Sequence, residues 1–216
     1  MAVLRRVPWG ALVILVHKQP EYADFDRDVR QRGRAFLAKT PKPTSQDFKP
    51  HHYWKDARSH LHRAYRGLCA YTASYLVESS SVDHFVPKSV SPNLAYEWDN
   101  FRLASPRVNS HKGDSVDIVD PFEIAADWFH LDLPSCLVVP APGLDHALRG
   151  KVGRTIRVLK LNGDDQLVEA RCEALLFFAR EEVTLAFLDA RYPFLAHEVR
   201  RQGMSPADLA RIFRIA

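Results

Sequence analysis

In the stretch SSSVDHFVPKS, residues 79 to 89, Asp83 and His84 stand side by side within an apolar run formed by Val82, Phe85 and Val86. A carboxylate offers hard anionic oxygen of the kind Mg²⁺ prefers, and an imidazole accepts protons near neutral pH. Neighbours in a strand point to opposite faces, so the pair can serve one site only where the backbone twists or bulges. Alone, the dipeptide reads more readily as a solvated Asp beside a core His. Two downstream asparagines shift that balance. With Asn100 in EWDNFRLAS and Asn109 in VNSHKGD, strand, Asn-bearing segment, strand and Asn-bearing helix follow one another within about thirty residues. An amide oxygen on the short helix can complete a cation site with Asp83, and an Asn in the connection can hold the loop that aims His84. A capping or turn role for Asn100 stays open beside this one.

The elements that must position these groups follow from pattern and punctuation. VDHFVPKS and EWDNFRLAS read as short strands, and PRVNSHKGD reads as a helical turn or short helix that starts at Pro106 and stops at Gly113. Upstream, EYADFDRDVRQRGRAFLAK carries Tyr22, Phe25, Val29, Phe36 and Leu37 at helical spacing, weakened by Gly33. YWKDARSHLHRAYRG puts Trp54, Ala57, Leu61 and Tyr65 on one helical face and stops at Gly67. FHLDLPSCLVVPAP predicts a hairpin, and the chain beyond it predicts helices, the last with Ser205 as N-cap.

At 216 residues, 46% hydrophobic and 26% charged, the chain is long enough for one sizeable core. A net charge of +4 favours an anionic partner without establishing one. Cys69, Cys136 and Cys172 lie far apart and provide neither a disulfide framework nor a four-thiolate zinc site, as suits a reducing cytoplasm. The apolar run Ala11 to Val16 follows Arg5 and Arg6 but is short and lacks a cleavage site, so a buried strand is expected rather than an export signal. No run is long enough to span a membrane, and no glycine-rich nucleotide loop occurs. Asp114, Asp117 and Asp120 read as surface and turn residues, and Trp98 and Trp128 as core anchors.

Taken together, Asp83-His84, Asn100 and Asn109 resemble the HNH nuclease family, whose spacing is also seen in the HNH domain of CRISPR effector nucleases. The wider text from LCAYTASYL to VNSHKGD, with TIRVLKLNGDDQLVEAR further on, more specifically resembles HNH proteins of bacterial anti-phage modules of the Septu and retron-associated kinds. The resemblance covers about residues 54–125, with weaker support to about 172. It implies an α+β fold: a ββα-metal core within a mostly helical chain, divided into an N-terminal extension (1–53), the nuclease core (54–125) and a β and helical C-terminal region (126–216).

What the resemblance implies chemically is a cytoplasmic, metal-dependent endonuclease acting on DNA, an effector in a defence module with an ATPase as partner. His84 would be the general base, Asn100 would position its loop, and Asp83 and Asn109 would hold one Mg²⁺ or Mn²⁺. The base is expected to titrate near the ordinary histidine value. Lys88, Arg102, Arg107, His111 and Lys112 are candidates for phosphate or nucleic-acid binding, each with a solvated surface charge as the alternative, and Lys112 is foremost. His111 is an alternative ligand to Asn109. Relatives of this kind carry a structural zinc on cysteine pairs, but here Thr72 and Val108 stand where thiolates would be. One thiolate cannot hold zinc, so packing of Cys69, Tyr71, Tyr75 and Val108 is expected instead, with His60 and His62 as a minority route to a Cys/His site. A catalytically silent nucleic-acid-binding or assembly module and an RNA-cleaving toxin are the alternatives.

Overall fold

Among the described residues, helices and two small antiparallel sheets alternate in an α+β arrangement. The computed structural model describes residues 17–77, 79–125 and 127–215, and the expected strand at 11–16 lies outside them. A π-helical turn, Asp26–Arg30, runs into α1 (Gln31–Lys39), and a 3₁₀ segment, Tyr53–Ala57, into α2 (Arg58–Ala64). Then come β1 (Ser81–His84), β2 (Phe101–Ala104) and α3 (Pro106–Lys112). A second hairpin, β3 (Phe129–Asp132) and β4 (Leu137–Pro140), leads to α4 (His146–Val158), α5 (Asp165–Ala179), α6 (Leu185–Arg191), α7 (Pro193–Arg201) and α8 (Pro206–Phe213). Among the described residues no helix is long and apolar enough to cross a membrane.

The punctuation read from the sequence acts locally as expected. Ser105 caps α3 by accepting from the Val108 amide, and Gly113 ends it at φ 51°. Ser205 and Asp208 form a reciprocal capping box on α8. Trp54, Ala57, Leu61 and Tyr65 are all buried, as their shared face required. Upstream of β1, Leu68 and Tyr75 form a single antiparallel bridge.

Among the described residues the core forms two apolar clusters. The first joins Phe25, Val29, Phe36, Trp54 and Leu61 to Val82, Phe101 and Leu103 on the β1–β2 hairpin. The second gathers Cys69, Tyr71, Ala104 and Val108 with β3, β4 and the C-terminal helices. Cys69, Tyr71 and Val108 therefore pack as apolar neighbours, while the ring of Tyr75 lies under the Arg191 guanidinium at 3.8 Å.

Gly33, which weakens α1 as a helix former, is required by what lies against it. A Cβ there would sit 2.0 to 2.6 Å from three ring atoms of Tyr96. Tyr96 is 1% exposed and is packed by Phe36, Phe48 and Trp54, so its ring has no room to retreat. Gly33→Ala, which would normally favour a helix, is expected here to cost about 3 kcal/mol through overpacking, read as a lower urea midpoint. A gain in stability would show that Tyr96 yields.

Candidate active site

β1 and β2 pair without interruption, Ser81 with Ala104, Val82 with Leu103, Asp83 with Arg102 and His84 with Phe101. Alternation places Val82, His84, Phe101 and Leu103 on one face and Asp83 and Arg102 on the other. No bulge brings Asp83 and His84 together. They meet because a pocket of about 180 Å³ runs along β1, lined by Val82, Asp83, His84, Pro87 and Lys88 and closed by Asn109, Gly113 and Asp114. α3 lies beside the strand, with the Asn109 amide donating to Ser81 Oγ at 3.1 Å and Lys112 Nζ donating to the His84 carbonyl at 2.8 Å.

Asp83 is 3% exposed. One carboxylate oxygen accepts a short hydrogen bond from the Tyr71 hydroxyl, and the other lies 3.2 Å from the Lys112 ammonium. Burial raises the carboxyl above its usual range, opposed by Lys112 and then by the Tyr71 hydrogen bond. Asn109 donates through its NH₂, which aims its amide oxygen elsewhere as an acceptor.

His84 stands edge-on to Trp54 and Phe101, with ring centroids 4.8 and 5.3 Å away. Its Nε2 lies 2.9 Å from the Ala95 carbonyl, which can only accept, so Nε2 carries the proton and Nδ1 the lone pair. Burial, and then the nearby Lys88 ammonium, push the imidazole down to about 3. The ring is thus held neutral, and its titration falls well below the ordinary histidine value expected from its type.

That depression has a consequence for stability. Between 6.5 and about 3 the unfolded chain protonates this histidine and the folded chain does not, so stability falls as the pH drops through that window. The contribution amounts to at most about 1.4 kcal/mol per pH unit. His84→Gln should flatten the acid limb of urea midpoints measured from pH 7 to 4, and superimposable curves would show that the folded ring takes up the proton.

Asn100, 5% exposed, holds the long connection between the strands. Its oxygen accepts from the Val86 amide at 2.8 Å, and its NH₂ donates to the Val86 and Leu94 carbonyls at 2.9 and 3.1 Å. Ala95, which orients His84, is the next residue, so Asn100 acts on the histidine through the loop.

The five cationic candidates divide. Lys88 lines the pocket with its ammonium 4.8 Å from the Trp54 ring centre, and burial lowers its pKa. Lys112 is buried beneath Asp83 and His84 rather than presented to solvent. Arg102 is turned into a double hydrogen bond with Asp120, at 2.9 and 2.6 Å, and stacks on Phe122. Arg107 and His111 are both drawn to Asp164, at 2.9 and 3.3 Å. Asp120 is therefore a partly buried ion-pair partner rather than a plain turn residue. Tyr71, Asp114 and Asp164 were not singled out from the sequence as contributors, because nothing local marks a residue whose partner is distant in the chain.

Whether a divalent ion suits this pocket depends on its donors. Asp83 and Asn109 supply hard oxygens, and Mg²⁺ commonly takes one or two carboxylates and completes its shell with water and phosphate. Among the described residues no three His, Cys, Asp or Glu side chains gather into a metal site, so protein ligands would be few. On donor chemistry the set fits Mg²⁺ or Mn²⁺, with the Lys112 ammonium competing for the carboxylate. Compared with known proteins, the chain matches no protein-family model and no curated protein.

Proposed function

We propose that the protein is a metal-dependent HNH endonuclease that hydrolyses DNA phosphodiester bonds, with β1, β2 and α3 as its ββα-metal core. The observation that carries this reading is the state of His84: a neutral imidazole, tied through Nε2 to the Ala95 carbonyl, on the wall of a polar pocket shared with Asp83 and Asn109. A core histidine needs no carboxylate and amide oxygen beside it. The resemblance to HNH proteins of anti-phage modules extends the proposal to a defence effector that works with a separate ATPase.

In this reading Nδ1 of His84 takes a proton from water as the water oxygen bonds to phosphorus. The bond from phosphorus to the 3′ oxygen breaks, leaving a 5′ phosphate and a 3′ hydroxyl whose proton comes from solvent. Asp83 and Asn109 would hold the divalent ion, which when bound supplies positive charge to the phosphate and the departing oxygen. Lys88 faces the same space and can pair with a phosphate oxygen. Asn100 keeps Ala95, and hence the imidazole, in place.

The deciding assay offers plasmid DNA and RNA to the wild type, Asp83→Ala and Asn109→Ala with Mg²⁺ or Mn²⁺. DNA cleavage that EDTA abolishes and both variants lose is expected. Cleavage indifferent to EDTA would sink the metal role, and cleavage of RNA alone would replace the substrate. The Asp83–Lys112 contact favours one second reading, since a carboxylate already balanced by an ammonium suits a silent nucleic-acid-binding scaffold. DNA binding without cleavage under either metal would select it.

A further inference from the structure

A second cavity, of about 170 Å³, lies away from the β1 pocket, between the hairpin and the C-terminal helices. We propose that it is a binding site for a small neutral apolar molecule of one or two aromatic rings. The inference is independent of the nuclease reading and rests on volume, wall chemistry and access.

Its walls are chiefly Val119, Ile124, Phe129, Val138, Leu159 and Phe194. The polar groups deep in the lining are already engaged. Thr155 Oγ1 accepts from the Val119 amide and donates to the Lys151 carbonyl, and Ser105 Oγ accepts from the Val108 amide. Arg171 donates to the Cys136 and Leu161 carbonyls at 2.9 and 2.8 Å, and the Tyr71 hydroxyl donates to Asp83. A charged or strongly hydrogen-bonding guest would lose its hydration here and find few partners in return. Water is poorly served for the same reason, since a buried water needs two or more polar neighbours. An apolar cavity of about 150 Å³ suffices to hold benzene, so this one admits a ring of that size.

Access comes from one side. Half-buried Thr72, Ser74 and Leu167 form part of the lining together with Ala170, which is exposed on α5. A guest entering there meets the ring of Tyr71, whose hydroxyl holds Asp83 on the far side. Occupancy is therefore felt at the hydrogen bond that supports the first pocket.

The test uses the full chain with benzene and indole as probes. At about tenfold excess over the Kd, either probe should raise Tm by about 3 °C for a chain of this length, and the rise should grow with the logarithm of probe concentration. In protein carrying ¹³C-labelled tyrosine, the Tyr71 resonance, assigned with Tyr71→Phe, should move along the same titration. Ala170→Trp alters an exposed helical position and plugs the entrance, so its fold should persist while the probe response is lost. Leu167→Phe, filling from the same rim, should also lose it. Absence of a Tm rise with both probes, or an undiminished rise in both filled variants, overturns the proposal.

Discussion

His84→Ala is expected to slow metal-dependent DNA cleavage by about 10²- to 10⁴-fold, the usual worth of a positioned general base. The loss should fall on the chemical step, because His84 donates no oxygen to the cation and its ring is fixed by Trp54, Phe101 and the Ala95 carbonyl. Single-turnover rates with excess enzyme isolate that step, and DNA binding should change little. Removing a buried ring also leaves a void, so the comparison needs a variant that fills the space: His84→Gln keeps an amide and lacks the base. Both variants should be slow while remaining folded by thermal melt. A rate within tenfold of wild type in either one would remove His84 from the mechanism.

Lys112→Met should destabilise the protein by about 3 to 5 kcal/mol, a fall in Tm of roughly 10 °C. Methionine matches the aliphatic stem, so the loss is electrostatic. The Lys112 side chain is fully buried, and removing its charge leaves Asp83 with the Tyr71 hydroxyl alone and the His84 carbonyl without its donor. Asp83 can escape by taking a proton, which its burial already favours, so the deficit should shrink in acid. Asp83→Asn in the same background removes the stranded charge and should recover much of the loss, a coupling that a double-mutant cycle measures directly. If Asp83 is the proposed metal ligand, Mg²⁺ should raise the Tm of Lys112→Met more than that of wild type, because ammonium and metal would then compete for one carboxylate. An unchanged Tm in the single variant would show that the ion pair contributes nothing.

Much of the local architecture was legible because its signals are local. Pro106 and Gly113 bracket α3, and Ser205 caps α8, within a few residues of the structure they specify. Short runs of aromatic and β-branched residues marked β1 and β2, and the alternation of faces along a strand posed the question of how Asp83 and His84 could share a site. The answer, a pocket along the strand flank beside α3, depends on packing that alternation does not encode. Long-range pairings were likewise silent. Asp164 draws Arg107 and His111 away from the pocket across 57 and 53 residues, Asp120 captures Arg102, and Tyr96 makes Gly33 obligatory. In each case the partner is an ordinary residue in its own segment, and only the fold supplies the meaning. Asn100 was the converse, since its expected hold on the loop matches the three hydrogen bonds it makes.

The β1–β2 hairpin is covered from both sides, with Val82, Phe101 and Leu103 in the cluster built by the N-terminal helices and Ala104 in the cluster built by the C-terminal ones. It is therefore not a portable cassette. A peptide trimmed to residues 54–125 would bare the hairpin's aromatic face where Phe25, Val29 and Phe36 now lie, and the far side where the later helices pack. Grafting the pocket onto another scaffold would require carrying both coats along, so inheritance of this chemistry is tied to inheritance of nearly the whole chain.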